Sequence, residues 1–432
     1  MYQLPEKFVC NMQKQLPQNE WEAFFAVYEN KPQKGVRLNV LKGDRYALKA
    51  RLPFLGEAVP WEENGFYTDV EKLGANPYHA AGLFYSQEPS AMSAAPLLQV
   101  QKGERVLDLC SAPGGKGTQL AAALQGDGLI VLNEPVLSRA KILSQNVERM
   151  GVKNAVVTCE TPERLAEKFV GYFDKILVDA PCSGEGMFRK NADEALREWS
   201  EENVALCADR QRRILSCAVK MLKSGGKLAY STCTFAPAED EEQTAWLAQT
   251  YPQMRLLKQE KLYPHKIKGE GHFVALFERT DEGYTGDLKG VKPSVSKQTE
   301  SAFKTFAKSF FTGDFARNLH EANGVLYALP KDVFDWKGLQ VLRVGIRLGE
   351  EKNGRFEPNH SLAMCMRKED CKNVVDLPEN DGRIEKYLRG ETIASDVGNG
   401  WCLVCIEGYP LGLGKAVNGV VKNHLPKGIR GK

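Results

Sequence analysis

The sequence of 432 residues holds no apolar run approaching the roughly 18 residues that a membrane-spanning helix needs. Residues 1–16 lack the apolar stretch of a secretion signal. Those two absences set the expectation of a cytosolic protein. Histidine is scarce, at six residues, and no pair has ligand spacing on a helix. The one CxxC, Cys402-Leu403-Val404-Cys405, lies in an apolar run and has no second pair to complete a tetrahedral set, so no metal is expected and these two read as core thiols. The 11 cysteines are scattered and odd in number, which argues against a disulfide framework in a chain of this length. No internal repeat is present. Gly114-Gly115-Lys116-Gly117 lacks the spacing of a Walker loop, and no GxGxxG follows a strand, which argues against the common phosphate and dinucleotide loops. A formal net charge of +3 excludes a polycation but leaves room for a local basic groove. Hydrophobic content of 43% and charged content of 26% are ordinary for a globular protein, and the length exceeds one core, so two or three domains are expected.

What is present is an alternation of strands and helices. Apolar runs at 105–109, 129–132, 155–158, 175–178 and 227–231 predict strands, and 273–278 a closing one. Helical patterns fill 116–124, 136–150, 162–169 and 202–222, and another is expected over 237–250. Repeated βα units argue for a doubly wound, mostly parallel α/β sheet with helices on both faces, placed at 75–280. Residues 1–74 read as a helical and mixed extension, with Trp21, Phe24, Phe25 and Tyr28 at helical spacing. Residues 281–301, rich in Gly, Ser and Lys, read as a linker. Residues 302–432 open with an apolar helical face, Phe303, Phe306, Phe310 and Phe311, and become β-rich.

Two places carry chemistry. Cys110-Ser111-Ala112-Pro113-Gly114-Gly115-Lys116 ends a strand and opens a helix, where small residues let a ligand approach the backbone. The next strand ends at Asn133-Glu134-Pro135, an acid placed for paired ribose hydroxyls or for capping the helix that follows. This fits a nucleoside ligand such as S-adenosylmethionine better than a dinucleotide. Arg139, one turn on, can pair with Glu134 or reach the ligand. The second place is a pair of strand ends. One delivers Asp179-Ala180-Pro181-Cys182-Ser183-Gly184, the other Ser231-Thr232-Cys233-Thr234. In a doubly wound sheet these strands are neighbours, so both thiols are expected in one cleft beside the cofactor loop. Cytosine carbon 5 is a poor nucleophile; a thiolate added at carbon 6 makes it enamine-like, and an acid at nitrogen 3, here Asp179, assists that addition. A second thiol can serve release. Lys116, Arg189 and Lys190 are candidate positive charges near the thiols.

Tyr85-Ser86-Gln87-Glu88-Pro89-Ser90, the cofactor loop, and the Asp179 and Ser231 motifs, in this order, resemble the RNA cytosine-5 methyltransferases of the Fmu/Sun/Nop type. The resemblance implies a Rossmann-like methyltransferase sheet and S-adenosyl-L-methionine as cofactor. It implies that the loop residues, Glu134 and Asp179 hold that cofactor, that Cys233 is the nucleophile, and that Cys182 assists product release. The stretch 179–191 is similar to the bacterial RsmF-type branch acting on 16S ribosomal RNA. The tail, with Arg355-Phe356-Glu357-Pro358 and Asn423-His424-Leu425-Pro426-Lys427-Gly428, resembles that branch's PUA-like RNA-binding region. The branch carries an acid after the third strand; here the stretch is Thr158-Cys159-Glu160-Thr161-Pro162, and Glu160 stays off the candidate list. Ribosomal RNA, free or within the small subunit, is the expected partner. It would be met by the extension, by Arg189, Lys190, Arg210, Arg212 and Arg213, and by an acid-free tail bearing Lys415, Lys422, Lys427, Arg430 and Lys432. The catalytic motifs do not distinguish ribosomal from transfer RNA. A non-catalytic assembly factor is the alternative outside enzymes, and the two intact thiols argue against it.

Overall fold

Five short apolar segments become the centre of one sheet in the computed structural model, which describes residues 4–315 and 318–431; Lys432 of the basic tail lies outside them. In chain order the strands of this sheet are β1 (Arg105–Asp108), β2 (Leu129–Asn133), β3 (Ala155–Thr158), β4 (Phe173–Asp179), β5 (Leu222–Thr232), β6 (Met254–Leu262), β7 (His272–Arg279) and β8 (Val341–Val344). Their spatial order is β8-β3-β2-β1-β4-β5-β7-β6. Strands β1 to β5 pair in parallel, and β7 runs antiparallel to both β5 and β6. Helices α1 (Gly115–Leu124), α2 (Leu137–Arg149), α3 (Pro162–Lys168), α4 (Glu201–Met221) and α5 (Glu241–Thr250) connect them. Two apolar cores cover the two faces of the sheet, so β2 is buried at every position. The strand order reverses between β1 and β4, and such a switch point opens a crevice at the carboxyl ends of the strands.

One of these strands had no sequence signal, and another lies in the alternating run 342–348, which reads as β without showing that it joins this sheet. β6 reads Met-Arg-Leu-Leu-Lys-Gln-Glu-Lys-Leu and is exposed over its middle, as a charged edge strand must be to discourage pairing. β8 comes from the C-terminal region, pairing antiparallel with β3; the apolar run there splits at Gly345 (φ +52°) between the large sheet and the small one that begins at Ile346. The helix expected over 237–250 is broken at Asp240 (φ −115°, ψ −94°) into a single turn, Pro237–Glu239, and α5.

The other units pack onto this body. Two strands of the extension complete a three-stranded antiparallel sheet with a segment beyond residue 74: Gly35–Leu38 lies between Gly65–Tyr67 and Phe84–Ser86. Phe8, Met12 and Phe24 of the extension pack with Phe188, Trp199 and Phe235, which flank the two thiol-bearing loops. Segment 281–301 is pinned along much of its length: Gly286 N donates to Gly171 O (2.8 Å), Val291 N to Val333 O (3.0 Å), and its last residues start the helix Lys297–Phe310. Beyond it lie a four-stranded sheet and a five-stranded one, the latter built on Gly400–Ile406 and Tyr409–Val417.

Candidate active site

The loop after β1 turns on Gly114, whose φ of +111° favours glycine, and α1 starts at Gly115. Gly117 answers to packing: a Cβ there would lie 2.5 Å from Ser111 Oγ and 2.9 Å from Asp108 Oδ2. Arg37 of the extension, 1% exposed, donates to Gly115 O (3.0 Å), Thr118 Oγ1 (2.7 Å) and Gln87 Oε1 (3.0 Å), bracing the loop from outside the sheet. Asn133 ties three strand ends, donating to Leu109 O and Glu160 O and accepting from Thr158 Oγ1. Glu134 is buried, accepts the Val136 N–H (2.9 Å) in the turn before α2, and pairs with Arg139 (3.3 Å). Arg139 also donates to Ala112 O (3.2 Å), so it joins the acid to the loop.

A cavity of about 280 Å³ opens over these strand ends. Cys110, Ser111, Ala112, Pro113, Gly115, Lys116, Asp179 and Cys233 line it, with Asp108, Met187, Lys190 and His272 beside them. Gly114, Glu134, Arg139 and Cys182 do not line it, although each touches a residue or loop that does. Asp179 ends β4 beside Ser231 of β5, and its carboxylate accepts from Lys116 Nζ (2.9 Å) and Ser231 Oγ (2.7 Å). Burial works to raise this carboxyl, but the Lys116 ammonium and those two hydrogen bonds outweigh it and hold it below the ordinary carboxylate value. To assist at nitrogen 3 this acid must be protonated at that moment or share the base's proton, and the Lys116 ammonium favours its charged form.

The two thiols meet. Cys182 Sγ and Cys233 Sγ are 3.2 Å apart, both as free cysteines, and the Cys233 N–H points at Cys182 Sγ (3.3 Å). The Cys182 thiol is pushed well above its ordinary value, first by its hydrogen bond with Cys233 and then by burial.

Two cavity groups escaped the sequence reading. Burial pushes the Asp108 carboxyl up to about 7. His272, 2% exposed with Nε2 3.9 Å from Asp179 Oδ1, is driven down to about 3 by burial and then by Lys116, so its imidazole is neutral. The acid at the tip of β1 was visible in the sequence; His272 had no signal, because only antiparallel β7 brings it beside β5.

One expectation fails. Arg189 was counted both as a charge near the thiols and as an RNA contact. It is 8% exposed and bidentate to Glu270 (2.7 and 2.9 Å), with Val27 O and Gly269 O as further acceptors. Its charge is spent holding the loop after Cys182 to the extension. Arg212 lies over the Trp246 ring, while Lys190, Arg210 and Arg213 remain exposed.

The sequence matches four family descriptions in succession: the N-terminal domain of 16S rRNA methyltransferase RsmF over residues 4–89, 16S rRNA methyltransferase RsmB/F over 95–278, the RsmF first C-terminal domain over 305–366, and the RsmF PUA domain over 372–430. It is 31% identical to the ribosomal RNA small subunit methyltransferase F of Shewanella oneidensis, across 99% of this chain and 98% of that protein. The protein of that name from Vibrio cholerae is also 31% identical, across 98% and 97%. Among solved structures, a methyltransferase homologue from Pyrococcus horikoshii superposes with a TM-score of 0.57 at 28% identity, covering 64% of this chain and 95% of that one. S-adenosyl-L-methionine is the cofactor of this methyltransferase, and the cleft suits it. A buried carboxyl, Asp108, faces the cavity where a cationic methyl donor would restore its charge, Gly115 leaves part of the wall without a side chain, and the acid Glu134 stands at the tip of β2. From end to end, then, this chain belongs to the RsmF family of 16S ribosomal RNA methyltransferases.

Proposed function

We propose that the protein methylates carbon 5 of cytosine in 16S ribosomal RNA through a covalent adduct with Cys233. The observation that carries this reading is the 3.2 Å thiol pair beside the Lys116–Asp179 ion pair at one cavity. When bound, S-adenosyl-L-methionine supplies the methyl group; Cys110, Ser111, Ala112, Pro113, Gly114, Gly115, Lys116 and Glu134 would hold it, with Arg139 anchoring Glu134 to that loop. Cys233 lines the cavity and Cys182 stands behind it, so Cys233 is the thiol that attacks carbon 6. As the C6–S bond forms, the Cys233 thiol proton is transferred to nitrogen 3 of the base, and the charged Asp179 carboxylate, fixed by Lys116, accepts the hydrogen bond from that N–H. The electron density gathered at carbon 5 then takes the methyl group. Loss of the carbon 5 proton to solvent in the open cleft re-forms the C5–C6 double bond and expels the Cys233 sulfur with the C6–S electron pair; that sulfur receives a hydrogen bond from the Cys182 thiol and regains its proton from nitrogen 3.

The RNA assignment rests on the full-length match to small-subunit methyltransferases and on the PUA match. Exposed Lys190, Arg210 and Arg213 supply phosphate contacts near the cleft, and the target base is unpaired or flipped to reach it. The test is transfer of labelled methyl from S-adenosyl-L-methionine to 16S RNA, free or in small subunits, followed by bisulfite mapping. Label recovered as 5-methylcytosine is the expected result; label in another nucleotide, or in transfer RNA alone, overturns the reading.

A further inference from the structure

Cys182 sits in a loop, yet the two peptide groups that bracket it are fastened from behind by fully buried side chains. Gln211, on α4, donates from Nε2 to Pro181 O (3.1 Å) and to Glu239 Oε2 (2.8 Å). The same Glu239 oxygen accepts the Ser183 N–H (3.0 Å). Both side chains are 0% exposed and neither lines the cavity. Glu239 stands in the single turn Pro237–Glu239, a few residues past Cys233, so the clamp spans the helix before β5, the turn after it and the loop after β4. The Cys233 side is tied to the same loop further on, by contacts that involve neither Gln211 nor the Glu239 carboxylate: Glu185 Oε2 accepts from Thr234 Oγ1 (3.0 Å) and the Phe235 N–H (2.9 Å), Gly186 N donates to Cys233 O (2.8 Å), and Ser183 Oγ meets Thr234 Oγ1 (2.9 Å).

Burying a carboxylate and an amide at this depth costs several kcal/mol unless their hydrogen bonds repay it. A loop that only needed covering could be backed by apolar side chains. We propose that Gln211 and Glu239 are positioning residues for Cys182, and that they set its sulfur against Cys233 for the release step while leaving the attack by Cys233 largely untouched. This rests on the thiol roles given above. The consequence is specific: loosening the clamp slows release more than attack, so the enzyme–RNA adduct accumulates.

The experiment compares adducts on denaturing gels, and product bursts, for the full chain with S-adenosyl-L-methionine and 16S RNA. The variants are Gln211→Met, which keeps volume but removes the donor, Glu239→Gln, which keeps an acceptor for Ser183, and Cys182→Ala. Tyr230→Phe is the structural control: its hydroxyl donates to Glu239 O (2.6 Å) from full burial but touches neither Pro181 nor Ser183. Gln211→Met is expected to give a burst near one methyl per enzyme, an adduct band, and steady turnover lower by roughly 10- to 100-fold, the scale on which small misplacements act. Glu239→Gln is expected to show a weaker form of the same pattern, and Tyr230→Phe no band. A Gln211→Met enzyme that loses burst and turnover equally, or a band in Tyr230→Phe as strong as in Gln211→Met, overturns the proposal. If Cys182→Ala itself traps no adduct, the thiol roles fail first; if it does and Gln211→Met does not, the clamp alone fails.

Discussion

Two pairs of cysteines show opposite relations between sequence and space. Cys402 and Cys405 are three residues apart in the strand Gly400–Ile406, and side chains at that separation leave a strand on opposite faces. Cys402 accordingly packs with the core beneath the extension and Cys405 with the core around the helix Lys297–Phe310. Both are fully buried, and burial pushes their thiols up, Cys402 to about 11. Cys182 and Cys233 are 51 residues apart and touch, because β4 and β5 are parallel neighbours and each thiol lies just past the carboxyl end of its strand. A thiol inside a strand is a packing residue; a thiol beyond its end is presented to the crevice.

The contrast can be broken by substitution. Cys233→Ala is expected to abolish methyl transfer to background, since no other group takes its place in the bond to carbon 6; residual transfer above a few per cent of the native rate removes the covalent step. Lys116→Met comes next, with kcat/KM lower by roughly 100-fold or more, because the buried Asp179 carboxylate loses its cation and its fixed geometry. Its acid limb in the pH–rate profile moves to higher pH, as removal of the ammonium lets burial raise Asp179; an unmoved limb contradicts the pairing. Cys402→Ala touches only packing, so kcat stays native while unfolding costs about 1–3 kcal/mol less, read from a denaturant midpoint. A kinetic defect in that variant would erase the distinction between the two pairs. The smallest effect is in stability against pH. Asp179 is depressed when folded, so its ion pair contributes above the unfolded carboxylate value of ~3.9 and is lost as pH falls through the lower folded value. In Lys116→Met burial raises Asp179 above ~3.9, so that variant loses stability as pH rises to its raised value; the stability gap is expected to be flat only above that value and to shrink as pH falls below it.

What the sequence makes legible follows the same division. Short apolar runs ending in Asp108, Asn133, Asp179 and Thr232 name the parallel strands and the places where chemistry is presented, because buried parallel strands must be continuously apolar and must stop where polar residues begin. Charges are harder to place. Arg189 sits in a basic stretch and looks like a phosphate contact, yet Glu270, 81 residues away, neutralises it; such a partner appears only when the loop before β7 folds back over the catalytic loop. Likewise Glu185, Gln211 and Glu239 look like surface residues of helices and turns. They are buried because aromatic side chains of the extension and the helix α4 close over the thiol loops. β6 is hidden in the sequence because an edge strand need bury only one flank; β8 lies in a run that reads as β, and only its place is hidden, because its neighbour β3 lies about 180 residues earlier in the chain.

The central claim is that the two strand-end thiols divide one reaction, Cys233 attacking and Cys182 releasing. It is tested most directly by incubating native protein, Cys182→Ala, Cys233→Ala and the double variant with 16S RNA and S-adenosyl-L-methionine, and resolving protein–RNA adducts under denaturing conditions. The account predicts a stable adduct in Cys182→Ala and none in Cys233→Ala or the double variant. An adduct that persists in Cys233→Ala and disappears in Cys182→Ala would contradict it.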